Sequence, residues 1–550
     1  MNTGARTGYG IQQLRMKRII SLCLLLIMTV ALQAQTFRNP IIPGYHPDPS
    51  ICRVGDDYYI VNSSFQYFPG VPIFHSRDLI HWQQIGNVLD RESQLPLRGA
   101  TSWLGIYAPT LRYHDGTYYM ITTNVGGRGN FMVTARDPRG PWSEPIWLKQ
   151  QGIDPSLWFE NGRCYMMSNP DNTIMLCEIN PLTGQQLTPS RPLWQGTGGR
   201  YPEGPHIYKK DGYYYLLISE GGTELAHRLT IARSRDIYGP YESNPDNPIL
   251  TNCSMKGQAK QVQGTGHGDF VQAADGSWWI VFLAYRNYNG SYHHLGRETY
   301  LAPVSWPKGE WPVVNGGEPI DTLMTASLPA TDTAVQVQPT SQENLEFGPE
   351  WIYIQNPKRL VEITKSKAWC GVETTNVRLY ASSSTLTQND RPAFYGRRQE
   401  SDRFTMEAVV CPSSHLEAGD ESGLSVYQIN DGHLDFFIRK DADGYSLVLR
   451  CKLKSIDYVV AEKKLSVHPS LLFLRVRGDG GQYHFEFQET TDLDATLNDR
   501  WQTLGSMDCM LMSTEVAGGF TGVVLGLYAY AAVESDNAYA DFPLVIYNEL

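Results

Sequence analysis

Residues 115–121 read Asp-Gly-Thr-Tyr-Tyr-Met-Ile, a tight-turn dipeptide followed by an unbroken run of aromatic and aliphatic side chains. Asp-Gly is typical of the turn of a β-hairpin, and such a run is typical of the strand that follows it. Four other stretches have the same form, so the phrase is an internal repeat with five copies. The other copies occupy residues 55–61, 161–167, 211–217 and 275–281.

The spacing of the repeat indicates the fold class. The glycines of successive copies lie about 46 to 64 residues apart, a period that suits four-stranded propeller blades with loops. Beyond residue 345, alternating stretches such as "RFTMEAVV" (403–410) and "YHFEFQE" (483–489) predict the strands of a two-sheet sandwich. We therefore predict an all-β chain, with a five-bladed β-propeller followed by a β-sandwich domain.

Four segments divide the 550 residues. Residues 1–34 are predicted to be a cleaved signal peptide, because Lys17 and Arg18 precede an apolar run that ends near Ala34; Met16 is an alternative start. Residues 35–325 form the predicted propeller, residues 326–345 a small and polar linker, and residues 346–550 a concanavalin-like sandwich. A cleaved signal implies a periplasmic or secreted protein.

The composition narrows the choice of partners. A net charge of −11 argues against nucleic acid or an anionic membrane surface, and favours a neutral ligand bound by aromatic faces and hydrogen bonds. No segment after the signal is apolar enough to suggest a membrane span. The eight cysteines beyond residue 34 are scattered without metal-binding spacing, which predicts buried thiols, with a Cys164–Cys177 bridge left open. The oligomeric state does not follow from the sequence.

The residues seven to nine positions before each turn glycine carry the candidate chemistry. Each falls at the start of the first strand of a predicted blade, and first strands line the central axis of a propeller. We therefore expect these side chains to meet at one end of the channel. They are Asp48, Tyr107 with Ala108, Asp154, Glu203 and His267.

Three of these residues are acids. Asp48 in "HPDPS" and Asp154 in "IDPSL" have an alternative interpretation as simple turns, because Asp-Pro is common where chains bend. Their recurrence in one register of the repeat, together with Glu203, favours an acid–base site, because like charges placed close together shift one another's pKa.

Longer motifs surround the candidate residues in all five predicted blades. They include "NPIIPGYHPDPSI" (39–51), "YAPTLRYHDGTYYM" (107–120), "GIDPSLWF" (152–159), "YPEGPHIYK" (201–209), "GTGHGDFV" (264–271) and "LGRETYLAPV" (295–304). These motifs resemble glycoside hydrolase family 43, in its branch of β-xylosidases and α-L-arabinofuranosidases with a C-terminal concanavalin-type sandwich. The resemblance runs from about residue 37 to the chain end. It implies an exo-acting, inverting enzyme that releases terminal α-L-arabinofuranosyl or β-D-xylosyl residues from plant cell-wall polysaccharides or oligosaccharides.

The resemblance also implies roles for single residues. Asp48 matches the general base, Glu203 the general acid, and Asp154 the acid that tunes and orients the proton donor. Inversion then requires the carboxyls of Asp48 and Glu203 to stand about 6.5–9.5 Å apart, with room for a water. We expect Asp154 to raise the pKa of Glu203 by like-charge repulsion, and a wet or cationic environment to keep Asp48 ionised.

The remaining site residues are predicted to bind the sugar. Arg297 matches the arginine that binds sugar hydroxyls, and Phe65 an aromatic wall of the pocket. Tyr107, beside Ala108, stands where many members carry Trp. This difference affects the shape of the leaving-group side of the pocket, and with it the preference between xylose and arabinose. His267 matches an axial histidine that contacts water or a metal ion. No cofactor is required; a Ca²⁺ or other divalent ion near His267 is left open.

Other interpretations stay open from the sequence alone. His267 and Phe65 are also compatible with core positions, and Arg297 with a surface ion pair. The chain as a whole is also compatible with a propeller lectin that binds pentoses without cutting them, or with a retaining, sucrose-type hydrolase in which Asp48 is the nucleophile. The sandwich is expected either to stabilise the propeller only or to lend a loop to the pocket rim; an independent sugar-binding role is a third option.

Overall fold

Thirty-eight β-strands and three short 3₁₀ helices make up the regular structure of the described residues. The structure is a computed structural model that describes residues 35–288, 290–329, 347–367, 373–465, 471–490 and 500–550. The predicted signal peptide and most of the predicted linker lie outside these ranges. Within them, no helix is long and apolar enough to cross a membrane. The 3₁₀ helices are Gly257–Ala259, Asn315–Gly317 and Cys509–Met512.

Five antiparallel sheets form the blades of the propeller, which confirms the predicted fold class. Strands are numbered in chain order. Blade I contains β2 (Ser50–Val54), β3 (Asp57–Val61), β5 (Gly70–Ser76) and β6 (Gln83–Leu89). Blade II contains β7 (Gly105–Ile106), β8 (Thr110–His114), β9 (Thr117–Val125), β10 (Gly129–Ala135) and β11 (Ile146–Trp147). Blade III contains β12 (Ile153–Glu160), β13 (Arg163–Asn169), β14 (Ile174–Ile179) and β15 (Arg191–Trp194).

The last two blades follow the same plan. Blade IV contains β16 (Glu203–Lys210), β17 (Tyr213–Glu220), β18 (Arg228–Ser234) and β19 (Glu242–Ser243). Blade V contains β20 (Val262–Gln272), β21 (Trp278–Arg286), β22 (Glu298–Ser305) and β23 (Val313–Val314). Each predicted turn lies between the first two full-length strands of its blade, as in the pairing of β16 with β17.

The repeated aromatic run arises because both faces of each blade are covered by neighbouring blades. Along β3, Tyr58 and Ile60 pack into a cluster shared with blades IV and V, whereas Tyr59 and Val61 pack into a cluster shared with blade II. Consecutive side chains of a strand point to opposite faces, so a strand buried on both faces carries an unbroken apolar sequence.

The propeller ring is closed by its two ends. β1 (Gln35–Arg38) pairs antiparallel with β24 (Leu323–Ala326), and the side chain of Asn39 exchanges hydrogen bonds with the backbone of Leu301 at 2.9 and 3.0 Å. Ala326 belongs to the propeller core, and Leu328 packs against it. The packed propeller therefore continues slightly past the predicted boundary at residue 325. Cys164 and Cys177 are free thiols, so the bridge left open by the sequence is absent.

A buried ion pair ties the inner strands together along the channel. Arg112 of β8 donates two hydrogen bonds to the Asp269 carboxylate of β20, at 2.8 and 3.1 Å, and Ser50 and Tyr208 donate two more, at 2.7 and 2.6 Å. Burial alone would raise the pKa of Asp269, but Arg112 and the neighbouring donors outweigh it and lower the pKa to about 2. One carboxylate thus links blades I, II, IV and V.

Replacing Arg112 by Met is expected to destabilise the propeller by about 3–5 kcal/mol, because Asp269 would stay buried without its cation. The stability that Asp269 provides is present above its unfolded-state pKa of about 3.9 and is lost as the pH falls towards 2, so the variant should lose this acid dependence as well. Thermal unfolding between pH 2 and 7 measures both effects. Arg77→Met, which removes a half-exposed partner of Asp57, is the control and should change little. Equal melting temperatures for the two variants would show that the Arg112–Asp269 ion pair does not stabilise the propeller.

The C-terminal domain is a sandwich of two large sheets. One contains β25 (Trp351–Ile354), β28 (Ala393–Arg398), β30 (Glu421–Ile429), β31 (Gly432–Asp441), β32 (Gly444–Leu453), β33 (Ile456–Lys464) and β37 (Val524–Tyr530). The other contains β26 (Glu362–Lys367), β27 (Glu373–Tyr380), β29 (Arg403–Pro412), β34 (Leu471–Asp479), β35 (Gln482–Thr490), β36 (Gln502–Asp508) and β38 (Tyr539–Glu549). Their facing apolar side chains, such as Leu424 and Phe436 on one sheet and Met406 and Phe485 on the other, form the largest core.

The two domains share a sheet. β4 (Tyr67–Phe68), a short strand of the propeller chain, pairs with β25 and becomes the edge of the first sandwich sheet. The amide of Gln355 adds a 2.8 Å hydrogen bond to the carbonyl of Gln66. Around this junction, propeller aromatics and sandwich aromatics fill one core cluster. The sandwich is therefore joined to the propeller next to the predicted pocket.

Candidate active site

A left-handed backbone conformation recurs where the inner strands enter the channel. Asp48, Asp154 and His267 have φ of 53°, 52° and 46°, and Gly204 has 58°. Non-glycine residues seldom adopt such φ, and each costs about 1–3 kcal/mol, so the conformation is held by its surroundings. β12, β16 and β20 also have register shifts at these positions, and bulges of this kind re-aim side chains. Gly204 is thus the equivalent of the two aspartates, and Glu203 lies one residue ahead.

Asp48 is held as a buried carboxylate. Its Oδ1 accepts a hydrogen bond from Arg297 at 3.0 Å and lies 3.7 Å from Nδ1 of His267, while its Oδ2 accepts one from Ser63 at 2.5 Å. Burial alone would raise the pKa of Asp48, but Arg297, His267 and Ser63 together hold it below the usual value. The predicted base is therefore ionised at neutral pH.

Asp154 and Glu203 form a carboxyl pair that interacts with Asp48. Burial, and then the charges of Glu203 and Asp48, hold the pKa of Asp154 well above its usual value. Asp154 is buried and accepts a hydrogen bond from the amide of Gly204 at 3.3 Å, whereas the Glu203 side chain is 18% exposed. Asp154 is thus the more buried acid of the pair, and Glu203 is the member open to a ligand.

The His267 ring lies close to both the base and the acid pair. Its Nδ1 edge faces Asp48, and a Cβ added at Gly204 would come within 3.0 Å of its Nε2, so only glycine fits there. Burial lowers the pKa of His267, which makes the imidazole neutral at pH 7. The predicted contact of His267 with water or a metal ion stays a prediction.

Donor atoms of Asp154, Glu203 and His267 lie within 4.8 Å of one another, which is close enough to consider a metal ion. The set does not fit a resident Ca²⁺. It offers three groups, one of them an imidazole, where Ca²⁺ takes six to eight oxygens. The carboxyls that could bind an ion are Asp154 and Glu203, which form the acid pair. An ion near His267 therefore stays a prediction, and no step of the reaction is assigned to it.

Arg297 anchors the base. It donates to Asp48 and to the hydroxyl of Thr223, both at 3.0 Å, and its other nitrogens donate to the carbonyl of Phe520 at 3.2 and 3.3 Å. The guanidinium is buried, which excludes the surface ion pair considered from the sequence. With these bonds made, its main effect in the structure is to fix the charge and orientation of Asp48. Its contact with sugar hydroxyls stays a prediction.

Aromatic rings close one side of the site. Phe65 is buried, with its ring centroid 4.9 Å from that of Tyr107 and 6.1 Å from that of Phe520. Tyr107 donates a 2.6 Å hydrogen bond to the carbonyl of Trp103, and burial raises its pKa to about 12. Ala108, next to Tyr107, is buried as well. Phe65 thus lies in a core cluster next to the site, and Tyr107 links it to Trp103, which is 43% exposed; a role of Phe65 as a wall of the sugar pocket stays a prediction.

The sandwich domain supplies Phe520, which the sequence did not single out. Its ring packs against Phe65 and against Trp103, at a centroid distance of 4.8 Å, and its carbonyl holds Arg297. Of the roles expected for the sandwich, a loop at the pocket rim is the one that matches. The available signal was an aromatic residue among glycines, "GGFTG" (518–522), but the bond to Arg297 uses a main-chain atom that any residue has. Ser63 and Thr223 were also missed.

Replacing Phe520 by Ala is expected to lower kcat/KM about tenfold, because the ring contacts are lost while the carbonyl that holds Arg297 remains. The measurement is steady-state kinetics with the best aryl glycoside. Phe473→Ala, which truncates an aromatic in a separate cluster of the sandwich, controls for general loss of packing. An unchanged kcat/KM for Phe520→Ala would show that the ring has no part in the pocket.

Two family models match the chain. The model described as "Glycosyl hydrolases family 43" covers residues 37–312, and the model described as "Beta xylosidase C-terminal Concanavalin A-like domain" covers residues 343–548. The two matches coincide with the propeller and the sandwich.

Known proteins resemble the chain over nearly its whole length. A non-reducing end α-L-arabinofuranosidase of Bacteroides ovatus is 41% identical over 539 residues, which are 96% of this chain and 98% of that protein. A xylosidase/arabinosidase of Butyrivibrio fibrisolvens is 37% identical over 526 residues, which are 92% of this chain and 98% of that protein. The solved structure of the Bacteroides ovatus xyloglucan PUL GH43B has a TM-score of 0.84 at 39% identity, and covers 94% of this chain and 100% of that one.

Proposed function

This chain belongs to glycosyl hydrolase family 43 and is a glycosidase, and from that premise we propose that it removes terminal α-L-arabinofuranosyl or β-D-xylosyl residues from plant cell-wall poly- or oligosaccharides with inversion at the anomeric carbon. The α-L-arabinofuranosyl substrate is placed first because the Bacteroides ovatus relative, matched over 98% of its length, is an arabinofuranosidase. The β-D-xylosyl substrate follows from the Butyrivibrio relative.

One observation carries the mechanism: the pKa values of two interacting buried carboxyls, Asp48 and Asp154, are shifted in opposite directions. The pKa of Asp48 is held low by Arg297 against burial, and the pKa of Asp154 is held high by burial and by Glu203. Two carboxyl groups with opposing environments are what acid–base hydrolysis of a glycoside requires.

In the proposed reaction, Glu203 gives its proton to the glycosidic oxygen as the bond to the anomeric carbon breaks. Asp48 takes a proton from a water that attacks the opposite face of the sugar, so the new C–O bond forms with inverted configuration. Arg297 and Ser63 keep Asp48 ionised and oriented for this step. Asp154 shares the proton of the Asp154–Glu203 pair. It also accepts a hydrogen bond from the amide of Gly204, the residue that follows Glu203. The predicted 6.5–9.5 Å separation of the base and acid carboxyls is part of the proposal.

The buried aromatic side of the pocket supports a neutral sugar as ligand. Phe65 and Phe520 present apolar ring surface, and Trp103 extends it to the solvent-exposed rim. Pentoses combine weakly polar faces with hydroxyls, which fits aromatic walls beside charged hydrogen-bonding groups. An exo mode of action is supported by the Bacteroides ovatus relative, which is a non-reducing end arabinofuranosidase, and by the sandwich loop that brings Phe520 against Phe65.

The test is hydrolysis of p-nitrophenyl α-L-arabinofuranoside and β-D-xyloside, side by side, with the first-formed sugar followed by proton NMR. We expect release from at least one substrate, with the anomer of inverted configuration appearing first. The retained anomer would instead favour the retaining hydrolase with Asp48 as nucleophile. Binding of pentose chains without release from either substrate would favour the lectin.

A further inference from the structure

His227 lies behind the proposed acid, in the loop that leads into β18. The side chain is fully buried, and its ring packs flat on the backbone of the "GTGHG" segment (264–268) of blade V. A Cβ added at Gly266 would come within 2.3 Å of the ring, so glycine at this position makes room for the imidazole. Nothing in the proposed mechanism so far uses this histidine.

Hydrogen bonding fixes the tautomer of His227. Its Nδ1 lies 3.2 Å from the carbonyl oxygen of Gly264, and a carbonyl only accepts, so Nδ1 carries the proton. In the neutral ring, Nε2 then presents a lone pair. This buried Nε2 has no hydrogen-bond partner among the described residues, and it lies 3.6 Å from Oε1 of Glu203. Leaving such an atom unpaired is costly, which calls for a hydrogen-bond donor on its open side.

We propose that His227 is a positioning residue for the general acid: its Nε2 accepts the O–H of protonated Glu203 and so holds the acid loaded with its proton between turnovers. A lone pair attracts a carboxylic O–H and repels a carboxylate, so the neutral imidazole favours the form of Glu203 that donates. This inference rests on the proposed function of Glu203.

The geometry leaves the proton free to move to substrate. The terminal torsion of a glutamate side chain is soft, so a small rotation brings the O–H from Nε2 of His227 to the glycosidic oxygen. The gap of 3.6 Å is slightly longer than a hydrogen bond, and such bonds commonly shorten when substrate binds. After the transfer, Glu203 is a carboxylate that faces the lone pair of His227. This repulsive contact is relieved when Glu203 takes up a new proton from solvent.

The experiment compares His227→Leu and His227→Gln on two substrates. One is a glycoside with a sugar or alkyl leaving group, which needs a proton from Glu203; the other is the matching glycosyl fluoride, whose leaving group departs as fluoride without one. For His227→Leu we expect kcat on the first substrate to fall about 10- to 100-fold, with kcat on the fluoride and both KM values within about twofold of wild type. His227→Gln can place its side-chain oxygen near the position of Nε2, and should recover most of the lost rate.

His294→Leu is the matched control. His294 is also buried with an Nε2 that has no partner among the described residues, but it packs against Tyr288, away from the carboxyls. The His294→Leu variant should be less stable than wild type, but any change in kcat should be the same on both substrates. Gly266→Ala, which would displace the His227 ring, should reproduce the leaving-group effect and serves if His227→Leu does not fold.

Equal losses on both substrates, or no loss on either, would overturn the role of His227. A wild-type enzyme that releases sugar from neither substrate would instead refute the proposed function, so the two failures are distinguishable.

Discussion

Replacing Glu203 by Gln is expected to lower kcat about 10²- to 10⁴-fold on substrates with a sugar or alkyl leaving group, and to leave glycosyl fluorides nearly unaffected. The amide has the size of the carboxyl but cannot give up a proton to the glycosidic oxygen. A fluoride leaves without that proton, so its hydrolysis still proceeds through Asp48 and water. Because the Glu203 side chain is partly exposed, the fold should tolerate the change.

The control for this variant is Glu242→Gln, which neutralises an exposed glutamate of the same blade. It should match wild type on both substrates. If Glu203→Gln lost activity equally on the fluoride and on the poor leaving group, Glu203 would not be the proton donor.

Replacing Asp48 by Asn is expected to lower kcat about 10²- to 10⁴-fold on every substrate, fluorides included, because activation of water does not depend on the leaving group. Asparagine suits the position, since Asn also adopts the left-handed φ of 53° found at Asp48 and keeps an oxygen for Arg297. Both the carboxylate charge and the proton acceptor are lost. Kinetics on the two substrates of the Glu203 experiment measure the effect.

The pH dependence of the wild-type enzyme is a second test of the role of Asp48 as the base. Because Arg297, His267 and Ser63 outweigh burial and hold the pKa of Asp48 below its usual value of about 3.9, the base stays ionised as the pH falls towards 4. The rate on a glycosyl fluoride should therefore stay level down to about pH 4. Asp56→Asn, in the exposed turn of the same blade, is the control variant and should retain activity. A loss confined to poor leaving groups in Asp48→Asn would assign Asp48 a role other than base.

The blades could be predicted because their signal is local and repeated. Each copy of the phrase, such as Asp211-Gly212 before Tyr213, encodes one turn and one strand that is buried on both faces. Repetition then places Asp48, Asp154 and His267 in equivalent positions, and the structure shows the common left-handed backbone there. The offset of Glu203 by one residue was not visible, because it depends on a bulge in β16 that the pattern of side chains does not encode.

Contacts between distant segments could not be predicted in the same way. The bond from Arg297 to Phe520 joins residues 223 positions apart and ends on a backbone carbonyl. The distribution of charge in the acid pair also depends on burial, which separates Asp154 from its more exposed neighbour Glu203. Sequence motifs identified which acids meet, whereas the burial that raises the pKa of Asp154 depends on three-dimensional packing.

The loop that carries Phe520 makes the order of protein synthesis matter for this enzyme. A growing chain becomes available N-terminal end first, whether it leaves the ribosome or, as an exported chain, crosses a membrane, and domains fold as they become available. The five blades, with all three acids, are complete some two hundred residues before Phe520 is made. Arg297 then still lacks the carbonyl that steadies it. The hydrolase should accordingly stay latent until its last fifty residues are in place, and products of premature termination should fold in part yet cleave poorly.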